Sequence, residues 1–214
     1  MRIRCIPDYR PYTRLYSGTL SLAQPDLGVL RKAQKGDERA FALILRAYET
    51  PVYNYVYRLV GDRSLAEDLT QEVFLRVFQG LPNFSLRCRF TTWLFQVTKN
   101  RVLDELRAHE RRPRTPVPLE DVPPLEVVDQ PFERMEAIDG VWRAVQGLNE
   151  DLKMALLLRD VVGLSYTEIA DALEITLATV KWRIYKARED VQLALAREGI
   201  SVSRAPAAAA TSED

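Results

Sequence analysis

Ser165-Tyr166-Thr167-Glu168-Ile169-Ala170-Asp171-Ala172-Leu173, followed after a short polar break by Thr179-Val180-Lys181-Trp182-Arg183-Ile184-Tyr185-Lys186-Ala187-Arg188, decides how this chain folds. The stretch reads as two helices meeting at a tight turn. Ser165 and Glu168 stand in the S-x-x-E relation of a capping box, in which side chains satisfy backbone donors that the first turn leaves open. Ile169 and Leu173 form an i, i+4 apolar stripe, and Ala170 is small where a second helix must cross closely. On the second helix Val180, Ile184 and Ala187 repeat at i, i+4, i+7 and face inward. That leaves Lys181, Trp182, Tyr185, Lys186 and Arg188 mostly outward. In a helix-turn-helix such a second helix enters the major groove, where cations meet phosphates and base edges. The alternative is an ordinary helical hairpin with a solvated basic face.

Composition narrows the field. A chain of 214 residues with 47% hydrophobic content holds one large or two small domains with real cores. Glycine is sparse and 28% of residues are charged, which favours helices over sheets. The formal net charge is zero, so nucleic-acid contact must come from local basic patches, and duplex binding by the isolated chain is expected to be weak. Cys5 and Cys88 lie far apart without metal-ligand spacing, and His109 is the lone histidine. Free thiols in a reducing, cytoplasmic setting follow, with no metal and no cofactor expected. No run approaches the roughly 20 apolar residues of a membrane span. Pro7, Asp8 and Pro11 break the arginine-bearing N-terminus, so a signal peptide is not expected either.

Helical patterning begins at Leu27. Leu30, Phe41, Ile44, Leu45 and Tyr48 suggest two helices around the Gly36-Asp37 break, and Val52, Tyr55, Val56 and Leu59 extend the apolar face to a C-cap at Gly61. Ser64-Leu65-Ala66-Glu67 reads as a second capping box. It opens a helix through Leu69, Val73, Phe74, Val77 and Phe78 that Gly80 and Pro82 stop. A loop over 83–89 leads into a helix from Phe90 to about Arg112. Pro113, Pro116, Pro118, Pro123, Pro124 and Pro131 then crowd together, a density no packed helix tolerates. The predicted layout is all-α: a flexible extension (1–26), a first helical domain (27–112), a linker (113–131), a second helical domain (132–198) and a disordered tail (199–214).

Two features of the first domain carry chemistry. Glu67, Asp68, Gln71 and Glu72 line the polar side of one helix, and the like charges Asp68 and Glu72 at i, i+4 cost it a few tenths of a kcal/mol. That face is either simply solvated or a dock for a basic partner helix. After Pro82, the rings of Phe84, Phe90, Trp93 and Phe95 interleave with Arg87, Arg89, Lys99, Arg101 and further cations. Rings stack on splayed bases while cations track a phosphate backbone, so this pattern suits a single strand.

Asp68-Leu69-Thr70-Gln71-Glu72-Val73-Phe74, Phe84, Phe90-Thr91-Thr92-Trp93-Leu94-Phe95 and Asn100 together resemble domain two of a sigma-70-family initiation factor. Gly163-Leu164-Ser165-Tyr166-Thr167-Glu168-Ile169-Ala170, with Thr179-Val180-Lys181 beyond, resembles sigma domain four. The linker is too short for a folded domain three, which is the architecture of the extracytoplasmic-function group. The resemblance covers about residues 27–198. It implies that Asp68, Gln71 and Glu72 bind core RNA polymerase. Asn83, Phe84, Ser85, Arg87 and Arg89 of the loop, with Trp93 and Asn100, would hold a base flipped from the single-stranded minus-ten element of promoter DNA. Thr179, Lys181, Trp182, Tyr185 and Lys186 would read the minus-thirty-five duplex, with Arg183 and Arg188 partly on phosphates. An anti-sigma factor is the further partner that the resemblance implies.

The chain departs from the family where glycine usually follows the first hairpin helix, proline sits in the turn and glycine precedes the Thr-Val pair. Here stand Glu174, Thr176 and Ala178. Thr176 can cap the second helix. A left-handed Glu174 would cost roughly 1 kcal/mol or more, so the turn is expected to be re-formed. Trp182 replaces a usually small recognition residue. A stand-alone helix-turn-helix regulator is the rival function, and it leaves the first domain unused. An enzyme is not expected, since there is no phosphate loop, paired histidine or nucleophile elbow.

Overall fold

The computed structural model of the protein describes residues 22–111 and 132–200, which are helical and contain no strand. The expected linker, most of the N-terminal extension and the tail beyond residue 200 lie outside the described residues. The first domain contributes α1 (Leu27–Gln34), α2 (Glu38–Val60), α3 (Arg63–Gly80), a 3-10 turn at Leu81–Asn83 and α4 (Phe90–Arg111). The second contributes α5 (Phe132–Gln146), α6 (Glu150–Asp160), α7 (Tyr166–Leu173) and α8 (Leu177–Arg197).

Aspartates open the first three helices. Asp26 accepts from the amides of Gly28 and Val29, Asp37 from those of Arg39 and Ala40, and Asp62 from that of Leu65. The capping box expected at Ser64–Glu67 is not formed. Asp62 offers a carboxylate earlier in the chain and takes the cap, bonding Leu65 at 2.7 Å, so Ser64 falls inside the first turn. Glu67 instead pairs with Arg63. Gly61 does end α2 in the left-handed region, at φ 75°, as its place after the apolar run predicts. Pro51 sits inside α2 and forgoes one backbone bond, which the buried Tyr48, Val52 and Tyr55 around it offset.

Tyr48, Tyr55, Phe90, Phe95, Leu69 and Leu94 are fully buried in the first domain. Tyr48 meets Phe90 and Tyr55 meets Phe95 edge to face, at 5.3 and 5.5 Å between ring centres. Each such pair adds about 0.5–1.5 kcal/mol beyond its area burial. The two helical domains expected from the sequence are also seated directly on one another. Buried apolar side chains form one continuous cluster from α1 to α8. α7 lies against α4, and the C-terminal end of α2 meets α5 and α6. There the buried Arg58 guanidinium stacks 3.5 Å from the centre of the Trp142 ring, and Gln146 donates to the Arg58 carbonyl at 2.8 Å.

The capping box at the start of α7 is complete. The Glu168 amide donates to Ser165 Oγ at 3.2 Å, and the Ser165 amide donates to Glu168 Oε2 at 2.9 Å. Ser165→Ala should therefore destabilise the chain by about 1 kcal/mol, lowering Tm by roughly 2–4 °C in a thermal melt. An unchanged melt would show that this cap contributes nothing to the fold.

Candidate nucleic-acid and polymerase interfaces

The hairpin turn keeps its left-handed residue. Glu174 sits at φ 58°, and the Glu174 and Ile175 amides return to α7 carbonyls, Ile175 to Ala170 at 3.0 Å. The expected re-forming of the turn is thus wrong, and its reason lies in another domain. Glu174 accepts from Lys99 Nζ at 2.9 Å and from Gln96 Nε2 at 3.1 Å, both on α4. Lys99 is nearly buried, with 8% of its side chain exposed, so its charge needs a partner. The bond from Lys99, and then its charge, hold the Glu174 carboxyl below the ordinary carboxylate range. With a lowered pKa, the contact is complete above the ordinary carboxylate value and is lost only as acid titrates through the lowered one.

Thr176 caps α8 as predicted, accepting from the Thr179 amide at 3.2 Å, and its hydroxyl lies 2.8 Å from that of Thr179. Val180, Ile184 and Ala187 are buried, while Trp182 and Tyr185 are 59% and 52% exposed. Lys181 is exposed beside them. Lys186 pairs with Glu189 and Asp190 one turn further on, at 2.8 and 2.9 Å, and these bonds raise its pKa. The two arginines fare differently from the expectation that they reach phosphate. Arg183 meets Asp151 at 2.6 Å, and Arg188 meets the nearly buried Asp160 at 2.7 Å. Both pairs tie α8 to α6.

On α3, Asp68, Gln71 and Glu72 are exposed together on one side. Glu72 is not a free carboxylate. It meets Arg101 of α4 at 2.5 Å, and Arg101 also binds Glu105 at 2.9 Å. The Arg101 bond lowers the Glu72 pKa. Asp68 and Gln71 remain open, and Gln71 borders a surface groove of about 250 Å³ that Glu49, Tyr53 and Glu67 also line.

The 83–89 loop divides. Asn83, Ser85, Arg87 and Arg89 are exposed, whereas Phe84 is buried with its ring 4.8 Å from that of Trp93. Gln34 of α1 pins the loop by donating to the Phe84 carbonyl at 2.8 Å. Trp93 in turn passes so near the end of α3 that a Cβ on Gly80 would meet its ring at 3.1 Å. Asn100 is exposed, ten residues along α4 from Phe90 and so about 15 Å from the loop. It shares a helical face with Trp93 and Gln96.

Sequence reasoning missed the residues that join the domains at α4. Arg89 binds Glu168 at 2.9 Å, and the buried Thr91 hydroxyl lies 3.4 Å from the same carboxylate. Gln24 accepts from the Phe90 amide at 2.8 Å and so supports the start of α4. No local pattern signals any of these pairs, because each joins residues far apart in the chain.

Residues 44–112 match Sigma-70 region 2, and residues 138–191 match Sigma-70, region 4. The RNA polymerase sigma-H factor of Pseudomonas aeruginosa is 34% identical over 182 residues, which span 80% of this chain and 94% of that protein. The chain belongs to the sigma-70 family. The ECF RNA polymerase sigma-E factor of Escherichia coli K12 is 33% identical over 180 residues, spanning 78% of this sigma factor and 92% of that one. This places it in the extracytoplasmic-function group, as an alternative sigma factor that binds core RNA polymerase and directs initiation at its promoters. Two solved structures share its fold, each at 20% identity and a TM-score of 0.62. One is CnrH in complex with the cytosolic domain of CnrY, covering 79% of this sigma factor and 96% of that chain. The other is RpoE with the anti-sigma factor NepR from Bartonella quintana, covering 73% and 96%. No helix among the described residues is long and apolar enough to cross a membrane.

Proposed function

We propose that the sigma factor divides its work among three surfaces. Asp68 and Gln71 of α3, with Glu72 held in place by Arg101, dock on core polymerase. Asn83, Ser85, Arg87 and Arg89 of the loop, together with Asn100, take the melted minus-ten strand, and Phe84 and Trp93 shape the floor beneath them. Lys181, Trp182 and Tyr185 read the minus-thirty-five duplex, with Thr179 and Lys186 at the edge of that surface. Arg183 and Arg188 serve by fixing α8 on α6. The protein acts in the cytoplasm without a cofactor or catalysis of its own. An anti-sigma factor controls it, a reading supported by the anti-sigma factor NepR bound to RpoE of like fold.

One observation carries this reading. α8 buries one face completely and leaves an indole and a phenol in water beside a lysine. Apolar rings grouped with a cation on the open face of a helix whose other face is packed favour a binding surface. Run-off transcription with core polymerase on a promoter library tests it: transcripts should start at a fixed distance below one bipartite motif. Within that assay Asn100→Ala should lower open-complex formation about tenfold, or about 1.4 kcal/mol, and leave upstream duplex binding intact. A defect confined to the upstream duplex would show that the surfaces are wrongly divided.

A further inference from the structure

The contact between α4 and α7 couples two things that the sigma factor must do separately. Arg89, just before α4, forms a polar strip with Gln96 and Lys99 of that helix, and α7 with its C-cap covers the strip with two carboxylates. Glu168 takes Arg89 at 2.9 Å, and Glu174 takes Lys99 at 2.9 Å and Gln96 at 3.1 Å. A carboxylate on a guanidinium or ammonium occupies the seat that a phosphate oxygen would use. Glu174 does this from a left-handed backbone conformation that glycine adopts without strain. Side chains persist in that region only where the surroundings hold them there. Here the backbone bonds to α7 are joined by Lys99 and Gln96 of the other domain, which hold the side chain.

Scale shows that the contact cannot survive at a promoter. Elements named for positions minus ten and minus thirty-five lie about 25 base pairs apart, about 85 Å of duplex at 3.4 Å per step. About 160 residues packed as one body have a radius of gyration of about 15 Å, roughly 40 Å across. With α7 seated on α4, α8 cannot lie on one element while α4 lies on the other. The seated arrangement is therefore a resting one.

Resting on the reading above, we propose that Glu174 is a latch. With Glu168, it closes the free sigma factor on itself by filling the cationic strip of α4 that single-stranded DNA needs. Opening exposes Lys99 and Arg89 to phosphate, so closure and strand binding exclude one another. Without the latch, the free chain binds strands that have no business being bound before polymerase engages.

Full-length protein tests this by small-angle scattering and by anisotropy with a fluorescein-labelled, mixed-sequence single-stranded DNA 12-mer, both without polymerase. Glu174→Gly relieves the backbone strain and removes the carboxylate, and Glu174→Gln removes only the charge. Both should raise the radius of gyration and tighten 12-mer binding about threefold to fivefold, the range that loss of one partly exposed ion pair allows. Glu198→Ala removes the same charge from an intradomain pair with Arg143 and should change neither readout. If both Glu174 variants scatter like the parent, there is no latch. If they open without gaining affinity, the strip is not a strand-binding surface. If Glu198→Ala gains as much affinity, the effect is net charge and the proposal fails. Run-off transcription by the parent protein judges the underlying assignment of surfaces separately, since neither of these measurements uses polymerase.

Discussion

Asp68→Arg is expected to weaken binding of core polymerase about 100-fold, a loss of about 2.7 kcal/mol. Asp68 is exposed on the proposed docking side of α3, with no bond to a neighbouring helix given up by the change. Reversal at the centre of a complementary interface replaces attraction by like-charge contact, which costs several kcal/mol. Far-ultraviolet circular dichroism and thermal melting should match the parent within about 0.5 kcal/mol, the usual range for an exposed substitution. Glu72 is the wrong residue for this experiment. Its reversal would set an arginine against the nearly buried Arg101 and Glu105 pair and would damage the α3–α4 packing itself. Equal retention of parent and Asp68→Arg on immobilised core polymerase would remove α3 from the docking surface.

The second large effect is expected at Trp182. At 59% exposure its ring lies largely outside the core. An indole offers one donor and a wide apolar surface, so it can cover a thymine methyl but cannot make the paired bonds that arginine makes to guanine. Trp182→Ser should relax or shift preference at a single base pair of the upstream element by roughly 1–3 kcal/mol, with little change in Tm. Holoenzyme selection on a randomised upstream element measures this directly. If the selected element is unchanged and Tm falls by many degrees, Trp182 is structural. Lys181→Ala gives the contrasting pattern: weaker binding across all sequences, with a salt slope shallower by about 1.

Much of the fold was legible because its signals are local. Gly61 as a left-handed stop, Ser165 with Glu168 as a capping box and Thr176 as a cap each involve residues within one turn. The buried stripe of Val180, Ile184 and Ala187 repeats over two turns and left Lys181, Trp182 and Tyr185 outward, as they are, but not Arg188. The Ser64 cap was misplaced because Asp62, a better acceptor just outside the apolar pattern, competes for the same amides. The arginines were harder. Helical phase put Arg188 outside the core stripe, but only tertiary structure reveals that Asp160 of α6 waits for it. Phe84 has the same character: a ring in a polar loop reads as a base-stacking platform until Trp93 and Phe90 close around it. Glu174 is the clearest case. Propensity argued correctly that the residue is uncomfortable in a left-handed turn, and the compensating lysine stands 75 residues away.

Glutamate at position 174 also has a genetic side. Either glutamate codon becomes a glycine codon by a single transition at its second base, so the unstrained left-handed turn that glycine permits is always one replication error away. Such a change leaves the helices, their caps and the recognition surface in place. If Glu174 is the latch, a population selected for constant expression of this regulon would find that door before most others, and persistence of the glutamate under such selection would count against it.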